Sequence, residues 1–109
     1  MIDATLMAAI LDSLTSPLLF ADTGHVVRYM NARAIAHYRG GDKLLGTSLL
    51  DCHNEASQEM MVEILAAMRE GEEERLTSES DEHRVYMRAV RDPEGKLLGY
   101  YEWYEPRGD

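Results

Sequence analysis

The stretch Arg84-Val-Tyr-Met-Arg-Ala-Val-Arg-Asp-Pro-Glu-Gly95-Lys-Leu-Leu-Gly-Tyr-Tyr-Glu-Trp-Tyr-Glu105 decides the fold. Two runs rich in valine and aromatic residues flank Asp92-Pro-Glu-Gly95, where proline and glycine stand in the places a tight turn wants them. The pattern predicts an antiparallel hairpin with strands over 84–91 and 96–105. Period-two alternation puts Val85, Met87 and Ala89 on one face of the first strand. On the second strand, Leu97, Gly99, Tyr101 and Trp103 share one face, and Tyr100, Glu102 and Tyr104 share the other.

Working outward, a further strand is expected over 73–79. Before it, Met60, Met61, Ile64, Leu65 and Met68 form one apolar stripe of a long helix. Asn54 caps that helix, Glu55 and Glu59 suit its positive end, and Gly71 closes it. Nearer the N-terminus, Asp3 caps a first helix carrying Leu6, Ile10 and Leu14 at four-residue steps, and Ser16-Pro17 stops it. Pro17 to Asp22 and His25 to Tyr29 read as two strands joined at Thr23-Gly24. A short helix capped by Asn31 runs to about Tyr38, and a helical turn leads to His53. The order helix, β-β, short helices, long helix, β-β-β is α+β. It calls for an antiparallel sheet of about five strands with helices packed on one face.

At 109 residues the chain holds one core, and its 45% apolar content suits a globular domain. A formal net charge of −9, with two lysines, excludes a nucleic-acid binder, which needs a basic face. The acidic runs Glu70–Glu74 and Glu79–Glu82 read as a solvated hairpin, because they lack the spacing of a calcium loop. Cys52 is the single cysteine, which fits a reducing compartment and reads as a buried or idle thiol. With no signal-like or membrane-spanning segment, a soluble cytoplasmic location and no membrane insertion are expected. His25, His37 and His83 are scattered on expected surface elements without metal-ligand spacing. No nucleophile–base pair, phosphate-cradling loop or paired-carboxylate motif is visible, so catalysis is not expected.

The candidate site joins His53, just before the long helix, to Trp103 near the chain end. If the sheet folds back on the helix, the two face one cavity. An imidazole on one wall and an indole N–H on the other would suit a metal cofactor and its diatomic ligand. Gly99 would let a flat ring system approach the backbone, and Met87 would line the same space. Met60 offers a second possible axial ligand. The plainer alternatives are His53 as a capping group, the methionines as core packing, and Trp103 as a core or dimer-face aromatic.

These pieces in this order resemble a PAS sensory domain over about residues 8 to 105. The resemblance is carried by Ile10-Leu-Asp-Ser-Leu, Pro17-Leu-Leu-Phe-Ala-Asp, Gly24 and Tyr29-Met-Asn31-Ala. Leu45-Gly46 and Arg91-Asp-Pro-Glu-Gly95-Lys-Leu-Leu-Gly99 continue it. It implies an N-terminal cap helix over 1–15 and a PAS domain over 16–106, sensing in a pocket between helices and sheet. It also implies a homodimer that relays a signal to a partner or output domain. No output domain follows Asp109, so the chain is expected to be part of a longer receptor or kinase, or to signal by association.

A narrower resemblance is to the b-haem PAS domains of soluble aerotaxis-type chemoreceptors, through Asp51-Cys52-His53, Gln58 and Glu102-Trp103. It implies b-type haem with His53 as axial metal ligand and Trp103 as distal donor to bound gas. Cys52 stands where that family has phenylalanine, and the proline often found after the histidine is absent. The alternative is a cofactor-free interaction module, or one binding a small organic ligand.

Overall fold

As a computed structural model, the structure describes residues 3–106, apart from the Cys52 side chain. The reading of that thiol therefore lies outside the described residues. The chain runs α1 (Ala4–Asp12), β1 (Leu19–Asp22), β2 (Val27–Met30) and α2 (Ala32–His37). Two 3-10 turns follow (Gly41–Leu44 and Leu49–Cys52), then α3 (Glu55–Arg69), β3 (Glu74–Glu79), β4 (His83–Arg91) and β5 (Leu97–Pro106). The five strands form one antiparallel sheet in the order β2-β1-β5-β4-β3. This is the expected α+β architecture. β5, last in the chain, lies at the centre of the sheet and joins the opening hairpin to the closing one.

Helix α3 forms as its pattern demands. The Asn54 side chain accepts from Ser57 N–H at the N-terminus. Met61, Ile64, Leu65 and Met68 are buried along one stripe, each contributing about 1.5–3 kcal/mol of apolar burial. They meet Leu19, Ala21, Met87 and Tyr100 of the sheet in a single core.

The first helix differs from its expected amphipathic packing. None of its residues is buried, and Leu6, Met7 and Ile10 stand about half-exposed. Among the described residues, its hydrogen bonds to the rest of the fold are made at its C-terminal end. The fully buried Asn31 donates from Nδ2 to the Leu11 and Ser16 carbonyls, and its Oδ1 accepts from Leu18 and Ala34 N–H. Asp12 in turn accepts from Ala32 N–H at 2.9 Å.

His25 also differs from expectation. It lies not on a surface strand but buried in the turn before β2, with φ 64. Its Nδ1 is 2.8 Å from the hydroxyl of fully buried Tyr100. Burial, reinforced by nearby Arg69 and only partly opposed by Asp22, lowers its pKa below the usual histidine value.

The decisive local event is a one-residue register shift in the β4–β5 hairpin. Arg91 pairs with Leu97, but Val90 pairs with Gly99, so Leu98 is the extra residue. Beyond it, Ala89 faces Tyr100, Met87 faces Glu102 and Val85 faces Tyr104. Without the shift, Val85 would oppose Trp103. Because side chains alternate strictly, one inserted residue exchanges the two faces of everything that follows.

Candidate functional site

A cavity of about 530 Å³ lies between the helices and the sheet, within the range that small-ligand sites occupy. From the end of α2 come Tyr38 and the exposed Arg39; from the following turns come Leu44, Leu49 and His53. Helix α3 supplies Ser57, Met60 and Met61. The sheet supplies Thr77, Ser78, Val85 and Met87, with Glu102 and Tyr104 from β5. Leucine, valine and methionine side chains form its aliphatic and thioether wall, and two tyrosines and a carboxyl meet at one place.

That place is Glu102. Leu19 of β1 and Met87 of β4 flank it in the sheet, so its side chain points inward with theirs. Tyr38 donates to Oε1 at 3.4 Å, and Tyr104 donates to the Tyr38 hydroxyl at 3.1 Å. Among the described residues, the carboxyl has no other hydrogen bond. Burial pushes its pKa above the ordinary 4.5, against opposing effects from the His53 charge and the Tyr38 hydroxyl. Burial likewise pushes the Tyr38 and Tyr104 phenols up, keeping them neutral donors.

The expected site residues divide. His53 lines the cavity as the residue closing the second 3-10 turn, with Nδ1 2.7 Å from the Leu49 carbonyl. Since a carbonyl only accepts, that contact puts a proton on Nδ1. Met60 and Met87 line the same space.

Trp103 and Gly99 do not. The expected pairing of Trp103 with His53 is not formed, because the register shift turns the indole to the outer face of the sheet. There it stacks on Tyr86, with centroids 4.7 Å apart, and donates to Glu74 Oε2 at 3.0 Å. Gly99 serves the approach of a neighbouring strand instead of a flat ligand. A Cβ there would overlap the Ala21 carbonyl and stand 2.9 Å from the Asp22 Cα.

Glu102, Tyr38 and Tyr104 are cavity residues beyond the expected set. Alternation did group Glu102 with Tyr100 and Tyr104, and a lone carboxylate among tyrosines in a central strand was the available signal. Which group faced inward depended on the register shift. Among the described residues, no cluster of three or more His, Cys, Asp or Glu could hold a metal ion. None of their helices is long and apolar enough to cross a membrane.

Comparison with known proteins bears on the fold. The C-terminal domain of a Streptococcus mutans protein superposes with a TM-score of 0.80 at 18% identity, over 96% of this chain and 85% of that one. Vibrio cholerae VqmA bound to DPO gives 0.60 at 14%, over 97% and 58%. The Aer2 receptor from Vibrio cholerae, described as a dual PAS-heme oxygen sensor, gives 0.58 at 12%, over 90% and 99%. At these identities the likeness is one of fold. No curated protein matches the chain. A family model described as the PAS domain matches residues 7–105. With nearly its whole length so matched and its sheet and helices in the corresponding arrangement, this chain belongs to the PAS domain family.

Proposed function

We propose that this chain is a signal-sensing PAS module that takes a small organic molecule into the cavity beside Glu102. The observation that carries the reading is a half-buried carboxyl with one long hydrogen bond, facing a ligand-sized space. A carboxyl drawn largely out of water with one long hydrogen bond has acceptor capacity that a ligand's donors could fill.

The relay follows from what α2 connects. Tyr38, at its C-terminal end, touches the cavity; Asn31, at its N-terminal end, holds the last turn of α1. A ligand that draws Glu102 away from Tyr38 would shift α2, and with it α1. Occupancy would then bias two packings of the N-terminal helix, which a partner or output domain reads. The exposed Leu6, Met7 and Ile10 suit a homodimer through that helix. Sedimentation velocity should show a dimer that Ile10→Asp converts to monomer; an unaltered dimer places the contact elsewhere.

The test of the cavity reading is a two-dimensional NMR titration of the full chain with a fragment set of mixed charge. Signals of Tyr38, His53, Met60 and Met87 should move together and saturate, and Ser57→Trp should abolish the response by filling the space. If no fragment moves them, the reading falls.

A second reading keeps b-type haem in the cavity. It is favoured by the His53–Leu49 contact, since a metal-bound histidine commonly donates its other nitrogen to a carbonyl. His53 would be the axial ligand, with Met60 or Met87 nearby. When bound, the haem would supply a site for diatomic gas or redox change. The outer-face indole gives no support to Trp103 as distal donor. Reconstitution decides between the readings: a Soret band lost in His53→Ala supports haem, and a protein that stays colourless with added haem rejects it.

A further inference from the structure

The chemistry around Glu102 narrows what the cavity would accept, and this step rests on the cavity being a ligand site. We propose that the ligand class is a small organic base presenting two N–H donors, an amidine-like or amino-heterocyclic cation, to the Glu102 carboxyl.

Three observations converge. First, a carboxylate offers about four acceptor positions, and here the described residues supply one donor, at 3.4 Å. The unmet capacity faces the cavity, where a fork of two parallel N–H groups would satisfy both oxygens at once. Second, the surrounding groups suit a flat cation. The phenols of Tyr38 and Tyr104 stand edge to face with centroids 6.5 Å apart, and aromatic faces attract cations. Flexible thioethers of Met60, Met61 and Met87 complete an adaptable apolar wall. Third, Glu102 is the one carboxyl among the described residues lining the space. The chain carries a net −9, and Arg39 at the cavity is exposed and screened by solvent. An anion would meet the ionised carboxyl as a like charge, and a purely apolar ligand would leave its acceptor positions unfilled.

The proton balance is simple. Where the empty site holds Glu102 as the acid, a cation binds as the carboxyl releases its proton to solvent, leaving an ion pair. The other titratable groups facing this space are Tyr38, Tyr104 and His53, with Arg39 as the fixed charge; α3, β3 and β4 present uncharged side chains there.

The test uses the full 109-residue chain and three isosteric probes: benzamidine, benzamide and benzoate. Titration followed by NMR should give saturable binding of benzamidine and markedly weaker binding of the other two. Glu102→Gln should weaken benzamidine about 10- to 100-fold, the loss of hydrogen bonds to a charged group, and leave benzamide unchanged. Tyr38→Phe, which keeps the carboxyl, should retain the preference for benzamidine and guards against a folding defect in the first variant. Equal affinity for the three probes, or benzamidine binding unaffected by Glu102→Gln, would overturn the proposal. Should benzamide or benzoate bind in the cavity and benzamidine not, the ligand class is wrong while the cavity remains a ligand site. If none of them moves the cavity signals, both readings fall together.

Discussion

Glu102 and Trp103 are chain neighbours on β5, yet they sit in opposite kinds of environment. On the outer face, Trp103 is fully accommodated: it stacks on Tyr86 and donates to Glu74, whose carboxylate also lies 3.6 Å from Arg88. On the inner face, Glu102 has one long hydrogen bond and a cavity in front of it. The outer face is saturated by its own side chains and behaves as structure. The inner face is left under-bonded, which in a packed interior is a cost that ligand binding can offset.

The contrast can be broken most violently at the residue that allows it. Gly99→Ala puts a methyl into the Ala21 carbonyl, which cannot withdraw without separating β1 from β5. A loss of about 3 kcal/mol or more is expected in chemical denaturation. A loss under about 1 kcal/mol would mean that the register of β5 is not held by this contact.

Glu102→Gln should do the reverse, stabilising the unliganded protein at neutral pH by on the order of 1 kcal/mol while weakening recognition of cations. The sign follows from its raised pKa. The folded state binds the proton more tightly than the unfolded one, so this group's contribution is fully present below about the ordinary 4.5. It is lost as pH rises through the folded value. Denaturation curves across that window should be flatter in the variant; parallel profiles would show that Glu102 is well solvated.

His25 titrates in the opposite sense. Its lowered pKa means that stability is present above the ordinary 6.5 and is lost as pH falls through the folded value. His25→Asn keeps a residue tolerant of the left-handed backbone, and should flatten this acid limb at a cost of about 1 kcal/mol for the lost Tyr100 contact. An unchanged acid limb would assign it to other groups.

The smallest effect is expected at Trp103→Phe. Loss of the indole donor to a partly exposed carboxylate should cost about 0.5–1 kcal/mol and leave probe binding in the cavity untouched. A change in cavity affinity would reinstate the tryptophan as a pocket residue.

Much of this molecule is readable from residue order. The Asn54 cap, the stripe from Met61 to Met68 and the Asp92–Gly95 turn are local signals, and the structure places α3, β4 and β5 within one or two residues of expectation. Val85, Met87 and Ala89 were correctly grouped, and Met87 is buried. His53, Met60 and Met87 do line one cavity. The burial of His25 was not legible, because it depends on Tyr100, seventy-five residues away. Nor was the exposure of α1, since its pattern is amphipathic whether the apolar face meets the core or another molecule.

By itself the sequence determined the elements, their order and the two sets of alternating residues on β5, because capping, turn chemistry and side-chain period are local. It did not determine which set faces the helices. That choice was made by the extra residue at Leu98 and by the tight approach of Ala21 to Gly99, which lock the register between strands far apart in the chain. Alternation defines two faces but carries no label for inside and outside. Packing supplied the label, turning Trp103 out to Tyr86 and bringing Glu102 in beside Tyr38 and His53.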